Sequence, residues 1–455
     1  MKTIIIGGLA AGMSAASKLK RMDKQQDVLV VEKGHETSYG ACGLPYYISG
    51  ENPHKDLLRI RKPAEFEQAG IRLMLGHEVI SADFKQKEIK IKNLDNGREF
   101  AENYNNLLIA SGSVSIIPQW PGVNLKNVFS IKTLEDSDLI KSAITADVRR
   151  IVVIGGGYIG LEMSEAFLRL GRSVTLLEKE KRLLTAFDPI FSCKVSEHLS
   201  THGMEIRAGE TVLKLEGNNC VRTVVTDKGC YDADLVLIAI GVRPNTGFLD
   251  MSGIERLKNG AIVTDDRMRT SVPYVWAAGD CTTVWHRLLG RYTYIPLATN
   301  ANKQGRYAAD NILGRPRRYM NALGTVMLKV ADLELGKTGL SEEEAIANNV
   351  PYGSTVITGV DHAPYYPNQN PIIVKLVYRP CDGALLGAQL IGNQGAALRT
   401  NTFAACISAD MTVSKISELD FGYAPPYAMP WDIMHLAANA AETNRLKTEQ
   451  EAGIK

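Results

Sequence analysis

The residue best suited to electron chemistry is Cys42, in the stretch Ser38-Tyr39-Gly40-Ala41-Cys42-Gly43-Leu44-Pro45-Tyr46-Tyr47. Its neighbours Ala41 and Gly43 are small, so a bulky planar group can approach the sulfur closely. The commoner fate of a lone cysteine is to pack as a small apolar residue, and only the rest of the chain decides between the two. Seven cysteines (Cys42, Cys193, Cys220, Cys230, Cys281, Cys381 and Cys406) are scattered with no Cys-x-x-Cys pair. That argues against a disulfide framework or a cysteine zinc site. If Cys42 works, it works without a neighbouring thiol. Cys281 reads as a packing residue, the eight histidines form no metal-like cluster, and no metal site is expected. His435 reads as structural.

Two further places have the spacing of a binding site. Thr3 to Ile6 is a β-rich run that enters Gly7-Gly8-Leu9-Ala10-Ala11-Gly12, followed by Met13-Ser14-Ala15-Ala16-Ser17-Lys18-Leu19 at helical spacing. Glycines let a backbone turn tightly and approach a pyrophosphate, whose charge is held at the helix N-terminus. A second run, Val28-Leu29-Val30-Val31, ends at Glu32, twenty residues past Gly12 and well placed for a ribose hydroxyl. The pattern recurs in Ile151-Val152-Val153-Ile154, Gly155-Gly156-Gly157-Tyr158-Ile159-Gly160, and Val174-Thr175-Leu176-Leu177 ending at Glu178. One glycine fingerprint is weak, but two copies, each with strand, helix and terminal acid, indicate two dinucleotide sites. Electrons then pass between two cofactors.

Three apolar runs close these units. Leu107 to Gly112 and Leu235 to Gly241 end in glycine, while Tyr274-Val275-Trp276-Ala277-Ala278-Gly279-Asp280 ends in an acid. Past about Leu323, the runs Ile372 to Tyr378 and Leu385 to Ile391 flank a turn with Cys381-Asp382-Gly383 and read as a hairpin, and Gly395 to Ile407 reads as a helix. A chain of 455 residues, 45% hydrophobic and 22% charged, is expected to be globular with about three domains. A net charge of +2 gives no reason to expect nucleic acid or a membrane as partner. The N-terminal apolar run breaks at Gly7 and no stretch reaches the length of a membrane span, so a soluble, cytoplasmic protein is expected.

The two fingerprints, the run ending at Asp280 and the pattern Ser38-x-x-x-Cys42-Gly43-x-Pro45-Tyr46 resemble the FAD-dependent pyridine nucleotide-disulfide oxidoreductases. The resemblance is to their single-cysteine branch, most closely to coenzyme A-disulfide reductases. It covers essentially the whole chain, since His362-Ala363-Pro364-Tyr365-Tyr366-Pro367 and Gly422-Tyr423-Ala424-Pro425-Pro426-Tyr427 match that branch's C-terminal motifs. It implies an α/β fold with two Rossmann-like dinucleotide-binding domains and a C-terminal α+β dimerisation domain. The FAD-binding domain would comprise 1–112 and 245–322, the NAD(P)H-binding domain 113–244, and the dimerisation domain of a homodimer 323–455.

By the same resemblance, Gly7, Gly12, Glu32, Ser111, Gly112 and Asp280 would hold FAD, with Asp280 on the ribitol. Gly155, Gly157, Tyr158, Gly160, Glu162, Glu178 and Gly241 would hold the nicotinamide cofactor, Tyr158 covering the flavin until nicotinamide displaces it. Glu178 favours NADH by repelling a 2′-phosphate, while Lys179, Lys181 and Arg182 soften that preference toward NADPH. Cys42, Tyr365 and Tyr423 would be catalytic, the phenols donating to the redox sulfur. Arg21, Ser38, Tyr39 and Arg61 are the candidate substrate contacts, suited to coenzyme A phosphates. The expected activity carries electrons from NAD(P)H through FAD to Cys42 and on to a small disulfide, with coenzyme A held as a mixed disulfide on Cys42. The alternatives are an NADH oxidase or peroxidase acting through a Cys42 sulfenic acid, a persulfide or polysulfide reductase, and a flavin-bound sensor. Oxidases of the branch typically carry histidine where this chain has Ala10, and many coenzyme A-disulfide reductases carry asparagine where it has Ala41. With the chain ending at Lys455, no sulfurtransferase-like domain is expected.

Overall fold

Thr3-Ile4-Ile5-Ile6 has no polar break among its β-branched isoleucines, the composition of a strand buried on both faces of a parallel sheet. The computed structural model describes residues 1–451; residues 452–455, the end of the expected dimerisation domain, lie outside them. In it, Lys2–Ile6 is the middle strand of a five-stranded sheet, in the order Val275–Ala277, Asn106–Ile109, Lys2–Ile6, Asp27–Val31, Ile71–Met74. Every pairing in that sheet is parallel. All carboxyl ends therefore point to one edge, where ligands of open α/β sheets bind.

The helix Ala10–Met22 buries Ala11, Ala15, Ala16 and Leu19. It crosses Ala298–Ile312 so closely that a Cβ on Gly305 would stand 2.1 Å from the Ala11 carbonyl oxygen. Small residues at the crossing thus hold the two helices, and with them the segment around Asp280, beside the first glycine turn.

The second parallel sheet repeats the plan. Arg150–Ile154 pairs in parallel with Ser173–Glu178 and Leu235–Ile238, Glu205–Ala208 lies outside Ser173–Glu178, and Val128–Phe129 completes the opposite edge. Its helix, Tyr158–Arg169, buries Leu161, Met163, Ala166 and Phe167. The C-terminal part changes to an antiparallel sheet in the order Val326–Val330, Leu333–Gly339, Leu385–Gly392, Pro371–Tyr378, Gly353–Val360. Helices Ala396–Ser408 and Ile433–Glu451 pack against that sheet.

By compactness the chain divides into two units. One comprises residues 1–119, 129–147 and 240–322; the other comprises 120–128, 148–239 and the chain from 323 onward. Most of the segment expected to bind the nicotinamide thus shares a unit with the antiparallel sheet. Among the described residues, no helix is long and apolar enough to cross a membrane.

Within the second unit one buried cluster joins those two parts. Asp188 accepts hydrogen bonds from Gln389 at 2.6 Å and from the amides of Glu342 and Glu343, and pairs with Lys375 at 2.8 Å. Burial pushes the Asp188 carboxyl up, but Lys375 and Gln389 outweigh it and hold the group below the usual carboxylate range. The folded value lies below the unfolded one, so this stabilisation is present above about pH 4 and lost on acidification. Lys375→Met leaves a buried carboxylate without its cation and is expected to destabilise the second unit by about 3 kcal/mol at pH 7. Urea unfolding checks this, and the deficit should shrink as the pH approaches 4.

Candidate active site

The first glycine turn is shaped by its own backbone. Gly7 has φ +110°, and a Cβ there would lie 2.2 Å from the Ala110 carbonyl oxygen; a Cβ on Gly12 would lie 1.8 Å from the Gly7 carbonyl. Only glycine fits either position. Glu32, just past the neighbouring strand, reaches back across the edge. Its carboxylate accepts from the Gly8 amide at 2.5 Å and the Gly34 amide at 2.8 Å. Burial raises the Glu32 pKa, and these amides oppose the shift. Leu9, the residue before the helix, provides no side-chain cap, which leaves first-turn amides for another acceptor.

The second turn repeats this geometry. Gly155 has φ +111°, a Cβ on Gly160 would lie 1.8 Å from the Gly155 carbonyl oxygen, and the Gly156 amide donates to Glu178 at 2.6 Å. Gly157 caps the helix without a side chain and has open space where a Cβ would project. Two uncapped helix starts, each with a carboxylate at the adjacent strand end, fit two dinucleotides. Gly7, Gly12 and Glu32 would hold one; Gly155, Gly157, Gly160 and Glu178 would hold the other.

The remaining expected flavin residues lie at the same edge of the first sheet. Ser111 and Gly112 follow Asn106–Ile109, where the Ser111 hydroxyl donates to the Asn245 carbonyl at 2.7 Å and Gly112 has φ +67°. Asp280 follows Val275–Ala277 and accepts from Ser113 at 3.1 Å and Lys132 at 3.4 Å. Lys132 was not singled out from the sequence, because nothing in its local pattern points to an acid 148 residues away. Cys281 is fully buried against the carbonyls of Ile109 and Ala278, and burial pushes its thiol up to about 11. Such a thiol stays protonated and unreactive.

Cys42 is exposed, in the one-turn helix Ala41–Gly43 that leads into Leu44–Ser49. Its loop is strapped to the first glycine turn, since the Ser38 amide donates to the Gly8 carbonyl at 3.0 Å. On the other side the Gly40 amide donates to Leu58 and the Ile60 amide to Ser38, each at 2.8 Å. Ser38 has φ +53°, a left-handed conformation that costs a serine free energy. Behind the loop, Tyr47 donates to Asp138 at 2.9 Å, and Lys141 lies 4.0 Å from the centre of its ring. Lys55 pairs with the same Asp138 at 2.8 Å. These two lysines put positive charge beside Leu44–Ser49, again unforeseen from the sequence.

The four expected substrate residues are spread out. Ser38 is in the strap, and Tyr39 is buried, its phenol pushed up by burial and by the charge of Glu135. Arg61 lies over the Phe66 ring at 4.2 Å. Arg21 is exposed in the last turn of Ala10–Met22, about 16 Å from the glycine turn by the helical rise.

In the second unit, Tyr158 opens its helix edge-on to Phe187, with centroids 6.5 Å apart, and burial pushes its phenol up to about 12. Glu162, one turn on and on the same helix face, has its carboxyl raised to about 7 by burial and the charge of Glu165. Gly241, expected with this set, belongs by compactness to the first unit, where it has φ +118° and its carbonyl accepts the Ile116 amide at 3.0 Å. Tyr365 and Tyr423, 58 residues apart, are both exposed with their hydroxyls hydrogen-bonded to each other, and that bond raises the Tyr423 pKa.

Arg399 holds the segments that carry these tyrosines. Its guanidinium pairs with Asp432 at 2.7 Å and donates to the carbonyls of Asp361 at 2.9 Å and Tyr427 at 3.0 Å. The reading that the histidines form no cluster overlooked one pair. Helix Pro189–Thr201 and its end bring His198 and His202 beside Asp332, an acid no sequence window connects to them.

Two glycine turns with uncapped helix starts, and an exposed cysteine on a loop strapped to one of them, fit a dinucleotide-dependent oxidoreductase. The chain belongs to the pyridine nucleotide-disulphide oxidoreductase family, whose model matches residues 1–305, and its dimerisation domain matches residues 326–433. FAD and NAD(P)H are the cofactors of this family. Among curated relatives, the CoA-dependent NAD(P)H sulfur oxidoreductase of Pyrococcus abyssi is 37% identical, covering 94% of this chain and 95% of that protein. An NADH oxidase of Methanocaldococcus jannaschii is 32% identical over 97% of this chain and 98% of that protein. Among solved structures, reduced Bacillus anthracis CoADR-RHD superposes with a TM-score of 0.95 at 32% identity, covering 98% of this chain and 81% of that one.

Glu162 provides a test of the second cradle's electrostatics. Its folded pKa lies above the unfolded value, so the fold opposes ionisation, and stability is lost as pH rises through about 7. Glu162→Gln is expected to melt like the parent near pH 5 and to be more stable by on the order of 1–3 kcal/mol near pH 8.5. Thermal unfolding across that range checks it, and a pH-independent difference would contradict the suppressed ionisation.

Proposed function

We propose that this protein is an NAD(P)H-dependent reductase of a small disulfide or persulfide, most simply coenzyme A disulfide, with Cys42 as the redox sulfur. The observation that carries the reading is Cys42 itself, exposed on a loop hydrogen-bonded to the first glycine turn, while Cys281, the cysteine nearest that sheet edge in sequence, is walled in. A working sulfur without a second thiol needs a substrate that supplies one. The relatives named for CoA-dependent sulfur chemistry support this choice.

FAD, when bound, supplies two-electron chemistry that links NAD(P)H to sulfur. Gly7 and Gly12 would admit its pyrophosphate, Glu32 would take the ribose hydroxyls, and Asp280, steadied by Ser113 and Lys132, would take the ribitol. The Cys42 thiolate attacks one sulfur of the disulfide, forming a mixed disulfide and expelling the other half as thiolate. Two electrons from NAD(P)H and a proton then release the second thiol and restore Cys42. Tyr365 and Tyr423 donate hydrogen bonds to the sulfur anion, and the lysines beside Leu44–Ser49 favour an anionic substrate. As a homodimer joined through its dimerisation domain, the protein would offer these hydroxyls to the sulfur of the other copy.

The donor is NADH. Glu178 fills the ribose position with a carboxylate, and two of the cations that could answer a 2′-phosphate, Lys179 and Arg182, have other partners. Arg182 donates to the Phe187 carbonyl at 2.5 Å and Ser192 at 2.9 Å and pairs with Glu343, while Lys179 faces Glu180 at 3.6 Å. NADH is expected to exceed NADPH in kcat/KM by roughly ten-fold or more, and Glu178→Ala to narrow the gap.

Cys42→Ser is expected to keep the flavin spectrum and lower coenzyme A disulfide turnover by roughly a hundred-fold or more. Intact mass under denaturing, non-reducing conditions should show a coenzyme A adduct on Cys42. A single added oxygen there, with NADH consumed against dioxygen, would overturn this reading in favour of an oxidase.

A further inference from the structure

The geometry points to a divalent transition-metal site at His198, His202 and Asp332, remote in sequence from the redox residues and independent of the reading above. The histidines are four apart at the end of Pro189–Thr201, spacing that puts both rings on one helix face. Their ring centroids are 4.5 Å apart. Asp332 comes from the tight turn between Val326–Val330 and Leu333–Gly339, and one ligand atom from each of the three residues lies within 4.8 Å of the others. Tetrahedral bonds of about 2.1 Å to a common ion place ligands about 3.4 Å apart, so the three side chains would draw together by about 1 Å on binding.

Hydrogen bonding decides which atoms face inward. His202 Nδ1 lies 2.9 Å from the His198 carbonyl oxygen, which can only accept, so Nδ1 carries the proton. Nε2 then presents a lone pair, and it faces Asp332 Oδ1 at 3.9 Å. In neutral His202 that sets an acceptor against an acceptor, an arrangement a cation between them turns favourable. Nδ1–H bonded to a carbonyl with Nε2 toward the ion is also how metal-bound imidazoles are commonly held. His198 Nε2 contacts the same Oδ1, while Oδ2 is held by the Asn393 side chain at 2.9 Å.

The turn is itself fixed, because the Glu165 carboxylate accepts the Ala331 amide at 2.9 Å, and Ala331 takes φ +53° to present Asp332. The site lies at the helix C-terminus, where the backbone dipole favours positive charge. Two imidazoles and one carboxylate suit zinc or its neighbours, with water completing a tetrahedron, and do not suit calcium or magnesium. The ion would clip the helix after Glu178 to the first hairpin of the antiparallel sheet within the second unit.

The test uses the holo flavoprotein, stripped with a chelator that is then removed, and titrated with Co²⁺ and Zn²⁺ alone. One equivalent of Co²⁺ should bind with ligand-field bands and without thiolate charge transfer, and Zn²⁺ should displace it and raise the melting temperature. His198→Gln and His202→Gln should each weaken binding at least ten-fold, and the double variant should lose both binding and the zinc-induced shift while keeping parental NADH turnover. Absence of saturable binding, a thiolate charge-transfer band, or unchanged affinity in the double variant would overturn the assignment.

Discussion

The arrangement of both nucleotide cradles depends on one repeated interaction, a glycine amide donated to a glutamate at the end of the next parallel strand. Gly8 to Glu32 and Gly156 to Glu178 span 24 and 22 residues, with lengths of 2.5 and 2.6 Å. The bond forms only if two strands run in parallel register and the turn between them carries no side chains. It ties the acid at the strand end to the glycine turn before the helix. Both carboxylates thus stay at the carboxyl edge of their sheets, where the uncapped helix amides also point.

The Cys42 loop is attached to this edge by its own backbone. Ser38 donates its amide to the Gly8 carbonyl and accepts the Ile60 amide, so the chain leading into Cys42 is anchored while the cysteine stays exposed. A Cβ on Gly43 would come within 2.3 Å of Leu58. The glycine after the cysteine therefore serves the packing of the loop as well as access to the sulfur.

The second unit obtains its order from buried ion pairs that link distant parts of the chain. Asp188 with Lys375, and Arg399 with Asp432 and two carbonyls, tie loops to the antiparallel sheet and to the helix Ala396–Ser408 packed on it. Such pairs are costly to bury and costlier to break. Arg399 has the wider reach, since it holds both segments that carry the paired tyrosines.

The strands, the helices and the two cradles were legible in the sequence because their causes are local. Apolar runs make buried strands, glycines make the turns, and an acid about twenty residues on falls at the next strand end in any right-handed βαβ unit. The proposal of Cys42 over the other cysteines rests on its small neighbours together with those glycine turns. Tertiary structure alone decided that Cys281 is sealed by two carbonyls, that Lys132 stands on Asp280, that Arg182 has other partners, and that His198 and His202 meet Asp332. Each of these joins residues brought together only by folding, across 134 positions for His198 and Asp332 and 148 for Lys132 and Asp280. No local period carries such pairings, because they follow from how sheets stack and loops cross once the strands have formed.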